Sequence, residues 1–405
     1  MSSFVRHLEA AIDGTVLPAR TLQTTHEGRP LWVRYDLDAV RGSTDREALR
    51  RREPGMWRYL ELLPLDRPEE RVTLGETETP LLRAPRLGQH LGVRNLLIKD
   101  ESRLPTGSFK ARGMAMAVSM AKELGITRLA APTAGNAGGA LAAYAARADM
   151  EAYVFMPADT PMVNRYEAAL YGAHAYLVDG LINDCGAIVR DGAEAMGWFD
   201  MSTLKEPYRI EGKKTMGLEL ADQLDWQLPD VILYPTGGGT GLVGMWKAFA
   251  ELEALGWLES AAKPRLYACQ SDGCPPIADA WAAGERFAKP AQDPATIASG
   301  IRVPVAVGDF MILDAVRASD GAALAAEEGS LAGWMRLATA LEGIALCPET
   351  AACLAVLDRL VRSGDVDPDE RVVVFNTGAV QKYVEAMATD LPTVEPPVDY
   401  AALGR

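Results

Sequence analysis

The sequence predicts an α/β protein built on open, largely parallel sheets, and three observations carry that expectation. From about residue 95, short β-rich runs alternate with helical stretches, as βαβ units require. The last run, RVVVFNTG at 371–378, is apolar without alternation, the pattern of a strand covered on both faces. Glycine-containing turns fall where strands run into helices, at 132–139, 235–241 and 375–378, and open α/β folds collect ligands at that end of their strands.

At 405 residues the chain exceeds one ordinary core, so two domains are expected. Residues 1–75 mix charge runs such as DREALRRREPGMWRYLELLP with a β-like LWVRYDL and read as an extension packed on the main body. The expected strands are NLLIKD, RLAAP, EAYVFMP, AYLVDG, DVILYPT, RLYACQ and RVVVFNTG. Between them, SFKARGMAMAVSMAKELG places Met114, Ala117, Val118, Ala121 and Leu124 on one helical face and stops at Gly125. PETAACLAVLDRLVRSG does the same with Leu354, Leu357, Leu360 and Val361 before Gly364. AKPAQDPATIASG, 288–300, reads as a surface loop.

Composition removes several function classes. With 55 acidic against 41 basic residues the net charge is -14, which repels phosphate backbones and anionic lipid, so neither nucleic acid nor membrane is expected as a partner. Cys185, Cys269, Cys274, Cys347 and Cys353 form an odd, scattered set, as free thiols in a reducing compartment would. His7, His26, His90 and His174 are equally dispersed, and no metal site is expected. The start, MSSFVRHLEAAIDG, lacks an apolar h-region, and no apolar run is long enough to span a bilayer; a cytoplasmic location is expected.

The chemistry concentrates in four places. In PTGGGTG, 235–241, Gly237, Gly238 and Gly239 let successive N–H groups point into one concavity; Thr240 adds a hydroxyl and the helix after Gly241 adds partial positive charge, which together make a phosphate cradle. Gly239, Gly241 and Gly244 also match GxGxxG, with Asp272 as a ribose-binding acid, and that keeps a nucleotide-binding oxidoreductase open. In PTAGNAGG, 132–139, backbone amides and Thr133 could hold a carboxylate while the Asn136 amide bonds a ring oxygen, although capping of an alanine-rich helix explains the turn as well. Thr377 in FNTG is either an N-cap for AVQKYVEAM or a hydroxyl facing a buried heterocycle. Lys110 in LPTGSFKARG opposes the dipole of its own helix, at a cost from a few tenths to about 1 kcal/mol. Desolvation by neighbours such as Phe109 would free its neutral amine for Schiff-base chemistry; snorkelling to solvent is the plain alternative.

Taken in order, KDESRLPTGSFKARG, PTAGNAGGALAAYAARA, VILYPTGGGTGLVGMWKA and VVVFNTGAVQKY resemble the fold-type II pyridoxal-phosphate enzymes, and among them the threonine synthases, over about residues 74–385 beginning with TLGETETPLL. The resemblance implies two open, twisted, mostly parallel sheets flanked by helices, with pyridoxal 5'-phosphate in the cleft between domains. Its divisions are an extension at 1–75, a large domain at 76–115 and 206–385, a small domain at 116–205 and a tail at 386–405. It implies that Lys110 bonds the cofactor and shuttles protons, that Asn136 bonds the ring hydroxyl oxygen, that Gly237, Gly238, Gly239, Thr240 and Gly241 bind its phosphate, and that Thr377 faces the pyridine nitrogen. Thr133, Ala134 and Gly135 would hold the substrate carboxylate; Arg165 and Arg209 are candidates for a substrate phosphate, whereas Lys213 and Lys214 read as surface cations. The implied activity is the conversion of O-phosphohomoserine and water to threonine and phosphate by a homodimer. Ala111 and Ala134 stand where many members carry an aspartate and a hydroxyl residue, and MSTLKEPYR lacks an asparagine common at that segment. A dehydratase or cysteate synthase on the same scaffold, and a non-catalytic relative, are the alternatives.

Overall fold

A computed structural model of the chain describes residues 3–387 and 391–398. Val5–Ala10 (β1), Val16–Leu17 (β2) and Leu31–Tyr35 (β3) form an antiparallel sheet in the order β2-β1-β3. Leu81–Arg83 (β4) and Asn95–Asp100 (β5) begin a second sheet. The chain leaves it to build a third from Arg128–Pro132 (β6), Glu151–Pro157 (β7), His174–Val178 (β8) and Phe199–Asp200 (β9), all parallel, in the order β8-β7-β6-β9. It returns with Val231–Pro235 (β10), Arg265–Ser271 (β11), Ala322–Ala326 (β12) and Arg371–Asn376 (β13). The completed second sheet runs β12-β11-β10-β13-β5-β4, and only its edge strand β4 is antiparallel.

All seven expected strands form; β12 is an addition. Its sequence, AALAA, has little strand preference, and parallel pairing with β11 decides its conformation. β13 explains its own lack of alternation. Val372 and Val374 pack into one core cluster while Val373 and Phe375 pack into another on the opposite face, all fully buried.

Seven helices matter for the site: Lys110–Glu123 (α1), Asn136–Arg147 (α2), Met162–Leu170 (α3), Ile182–Met196 (α4), Arg209–Gln223 (α5), Thr240–Leu255 (α6) and Pro348–Ser363 (α7). α5 crosses α1 at Gly212, where a Cβ would stand 2.1 Å from the Arg112 carbonyl oxygen, and only glycine permits that approach.

Beneath the start of α1 lies a buried ionic network. Arg112 Nε donates to Glu101 Oε2 at 2.7 Å and its Nη2 to Glu219 Oε1 at 2.8 Å, while Lys99 Nζ reaches the same Glu219 oxygen at 2.6 Å. Burial opposes ionisation of Glu219, yet the charges of Arg112 and Lys99 together outweigh it and hold the carboxyl at about 2.

Two expectations fail here. Lys213 and Lys214 are fully buried, not surface cations: Lys214 pairs with Glu211 at 2.7 Å and Glu251 at 2.9 Å, and Lys213 Nζ donates to the Phe109 carbonyl. AVQKYVEAM is not one helix capped by Thr377. A 3-10 turn, Val380–Lys382, precedes a short helix, Val384–Met387, because Ala379 N and Lys382 Nζ are drawn to the carbonyls of Gly107 and Thr106 at 2.7 and 2.8 Å. Of the tail expected at 386–405, residues 388–390 and 399–405 lie outside the described residues. Among the described residues no helix is long and apolar enough to cross a membrane.

Because Glu219 is held ionised by buried cations, its stabilising contribution is present above the ordinary carboxylate range and is lost as pH falls toward about 2. Glu219→Ala leaves Lys99 and part of Arg112 buried without a counter-charge and is expected to cost about 3–5 kcal/mol. Urea unfolding at neutral pH measures this; a loss below about 1 kcal/mol would show that the network does not anchor α1.

Candidate active site

Lys110 is positioned by a stitched turn. Thr106 and Gly107 both take positive φ, 58° and 61°, and turn the chain back so that Phe109 N donates to the Thr377 carbonyl at 3.1 Å. α1 then begins at Lys110 with no side-chain cap. The half-buried amine lies 4.4 Å from the centroid of the Phe109 ring, and Lys213 Nζ lies 4.0 Å from the same centroid. Burial, followed by the charge of Arg209, lowers the Lys110 amine to about 8, with Glu349 opposing the shift. At pH 7 about one molecule in ten then carries a neutral amine, against far fewer for an ordinary lysine.

The amine faces a cleft of about 370 Å³ bounded by the ends of β6 and β10 and the segments after them. Gly237, Gly238, Gly239, Thr240 and Gly241 line it, and their amide N–H groups find no acceptor among the described residues. Gly239, φ 74°, is the N-cap of α6, so five free donors and the positive end of a 16-residue helix meet at one point. A Cβ at Gly237 would stand 2.8 Å from Val303 and one at Gly241 1.9 Å from the Tyr234 hydroxyl; the loop is tight because its outer side is packed.

The second turn is built around Thr133. Its hydroxyl donates to the Gly135 carbonyl at 2.9 Å and accepts from the amides of Gly135 and Gly138 at 3.1 and 3.3 Å. Thr133 N itself donates to the Phe155 carbonyl at 2.9 Å. Thr133 and Gly135 therefore shape the turn, and the amides left without acceptors among the described residues are those of Ala134, Asn136 and Ala137, all lining the cleft. Asn136 Nδ2 donates to the Tyr383 hydroxyl at 2.9 Å and keeps a second N–H, while its Oδ1 is buried without a partner. Across the cleft, Thr377 Oγ1 has one neighbour of its kind, Cys347 Sγ at 3.8 Å.

The cleft thus unites Lys110, the glycine loop, the 133–136 turn and Thr377, but not every expected residue. Arg165, on α3, does not line it; its Nη1 reaches the Ala158 carbonyl at 3.5 Å. The buried Asn164 beside it lies behind the turn, its Nδ2 3.9 Å from a Cβ placed on Gly135. Arg209 is buried behind the 201–208 segment, Nη1 donating to the Met201 carbonyl at 2.6 Å, and it acts on Lys110 through its charge instead of lining the cleft. Asp272 is also outside: its carboxylate accepts from Glu328 N at 2.9 Å, so the ribose-binding acid of the nucleotide reading is missing from the cleft. Sequence reasoning missed Asn183, Arg190, Lys205, Glu349 and Tyr383, which do line it. The end of the 288–300 stretch is a cleft wall at Ser299 and Gly300, not open surface.

These features fit a phosphorylated pyridine aldehyde: a reactive amine, an anion cradle on a helix end, an amide with free capacity and a hydroxyl facing it. Comparison with known proteins agrees. Residues 72–378 match the family described as pyridoxal-phosphate dependent enzyme. The threonine synthase of Methanocaldococcus jannaschii is 35% identical over 358 residues, 88% of each chain, and that of Mycobacterium leprae is 32% identical over 347 residues, 85% of this chain and 93% of the other. Maize serine racemase superposes with a TM-score of 0.64 at 21% identity, covering 76% of this chain and 91% of that one, and diaminopropionate ammonia lyase from Escherichia coli with 0.66 at 19%, covering 78% and 88%. The last two speak to the fold alone. With a matching family model over three quarters of its length and this cleft at the centre of the matched region, the chain belongs to the pyridoxal-phosphate dependent enzymes of fold type II.

Proposed function

We propose that the chain converts O-phospho-L-homoserine and water to L-threonine and phosphate, the reaction of a threonine synthase. The observation that carries this reading is that the cofactor site opens toward a second group of anion-binding side chains, Asn183, Arg190 and Lys205, which one phosphate alone would not need. The threonine synthases of M. jannaschii and M. leprae, similar over most of their length, support it.

When bound, the cofactor supplies an electron sink for carbanions beside the substrate amino group. Lys110 Nζ would bond it and would move the protons at Cα and Cβ, for which a lowered amine basicity is suited. The amides of residues 237–241 and the Thr240 hydroxyl hold its phosphate. Asn136 donates to the ring hydroxyl oxygen, with Tyr383 fixing the amide plane. Thr377, a cleft-lining hydroxyl, would face the ring nitrogen where a carboxylate would hold a proton more firmly. Ala134, Asn136 and Ala137 donate amide N–H groups to the substrate carboxylate, and Lys205 with Arg190 receives the substrate phosphate; Lys205 is only loosely paired, 3.6 Å from Asp200. Arg209 keeps Lys110 from holding its proton too tightly.

We also read residues 76–115 and 206–385 as the large domain and 116–205 as the small one, supported by a six-stranded sheet drawn from 81–100 and 231–376 and a four-stranded one from 128–200. A cytoplasmic homodimer is our proposal for the assembly, supported by five free, buried cysteines and by an exposed apolar row on α3, Met162, Tyr166 and Leu170.

Phosphate release from O-phosphohomoserine, assayed beside 2-oxobutyrate formation from threonine, tests the reading; release of phosphate is expected, and keto acid alone would make the chain a dehydratase. Lys205→Ala is expected to raise KM for O-phosphohomoserine by about 10- to 100-fold, the worth of a charged hydrogen bond, while Arg165→Ala changes it by less than about 3-fold. Equal effects of the two would remove Lys205 from the phosphate subsite. In Arg209→Gln the amine loses a positive neighbour, so the pH at which Lys110 captures added pyridoxal phosphate, read from the visible absorbance, moves above the wild-type midpoint. A midpoint that falls or stays put would separate Arg209 from the amine.

A further inference from the structure

Seven ionisable side chains line the cleft among the described residues: Lys110, Arg190, Lys205, Tyr234, Arg302, Glu349 and Tyr383. Most cannot trade a proton during turnover. Guanidinium groups do not deprotonate in proteins, which removes Arg190 and Arg302. Burial pushes the Tyr234 phenol well above its usual value, and burial, followed by the charge of Glu349, does the same to Tyr383. Lys205, 3.6 Å from Asp200, serves the substrate phosphate as a fixed charge. Beyond Lys110, that leaves Glu349.

Glu349 is 2% exposed, in the first turn of α7. Its Oε1 accepts from Gly300 N at 2.7 Å, whereas Oε2 is buried with no partner. One oxygen anchors the carboxyl and the other is free. The groups facing it are the Cys347 thiol, the Tyr383 hydroxyl and the Lys110 amine, whose basicity it raises. Burial raises the carboxyl above its ordinary range, and a phosphate dianion entering the same cleft would raise it further.

We propose that Glu349 is a second catalytic residue of this cleft, acid for the departing phosphate and base for the entering water. The inference rests on the threonine synthase reading. As the Cγ–O bond breaks, its electron pair leaves with the phosphate and Glu349 Oε2 gives its proton to that oxygen. The water oxygen then bonds to Cβ and its released proton returns to the carboxylate, so hydrogen phosphate leaves and Glu349 is restored. Lys110 is left to serve the carbon-bound protons.

Wild type and Glu349→Gln, each loaded with pyridoxal phosphate, are compared in phosphate release from O-phosphohomoserine and in deuterium exchange at Cα of L-threonine, followed by NMR. Unfolding temperature without cofactor is measured beside them. Release is expected to fall about 100-fold or more, the usual worth of general acid–base catalysis, with exchange changed by less than about 3-fold. The unfolding temperature should move by no more than about 2 °C. Release within about 3-fold of wild type overturns the inference, as does a joint fall of release and exchange, which marks a structural role. Wild-type protein that exchanges Cα hydrogen yet releases no phosphate overturns the threonine synthase reading itself, and the inference with it.

Discussion

The constraint on which the site depends is the pairing of two backbone segments distant in sequence. Ser108 bridges Gly378, Phe109 N donates to the Thr377 carbonyl, and Ala379 N donates to the Gly107 carbonyl. These bonds tie the start of α1 to the end of β13, so the backbones that carry the amine and the Thr377 hydroxyl have a fixed separation. Any motion that opens the cleft must occur elsewhere. The positive φ at Thr106, unfavourable for a β-branched residue, is the local strain that this pairing overcomes.

Below that seam the protein buries charge on an uncommon scale, and the arrangement has a direction. Arg112, two residues beyond the reactive lysine, is locked between Glu101 and Glu219, which holds the first turn of α1 against the sheet. Lys213, by contrast, has no carboxylate within ion-pair distance among the described residues; burial, then the charges of Lys110 and Arg209, push its amine well below the ordinary value. It donates to the Phe109 carbonyl as a positioning group. Farther out, Lys214, Lys247, Glu211 and Glu251 form a second buried cluster, and Tyr35 of the amino-terminal extension donates to Glu211 at 2.8 Å. The extension is therefore coupled to α5 and α6, the helices behind the cofactor cradle.

Much of this was legible in the sequence, for physical reasons that can be named. Strands buried on both faces show as apolar runs, so RVVVFNTG and DVILYPT are read directly. Glycine turns mark backbone needs that few other residues meet. What escaped was set by tertiary context. AALAA becomes a strand only because β11 offers an edge. Lys213 and Lys214 read as surface groups because nothing local reveals the carbonyl and the carboxylates that receive them. Arg165 stands out in the sequence because charge is a louder signal than position, yet the helix turns its neighbour Asn164 inward. Glu349 had no local signal, since its meaning comes from Gly300, a residue on another loop.

A last consequence concerns how an acidic protein receives an acidic substrate. The net charge is -14, which repels a phosphorylated amino acid at long range. The lining of the cleft inverts that sign, with Lys110, Arg190, Lys205 and Arg302 against the one carboxylate of Glu349. Three of these cations stand beside aspartates at the rim: Arg190 with Asp191, Lys205 with Asp200, and Arg302 with Asp159. Such pairs mute the attraction at long range, where the fields of each cation and its aspartate nearly cancel, and leave a net pull only at contact distance, where the anion meets the cation directly. The arriving anion therefore gains little until it has entered, and its release as inorganic phosphate requires the same rim to let go. A rim of paired cations, weaker than a rim of free ones, suits a reaction that must discharge one anion for every one it admits.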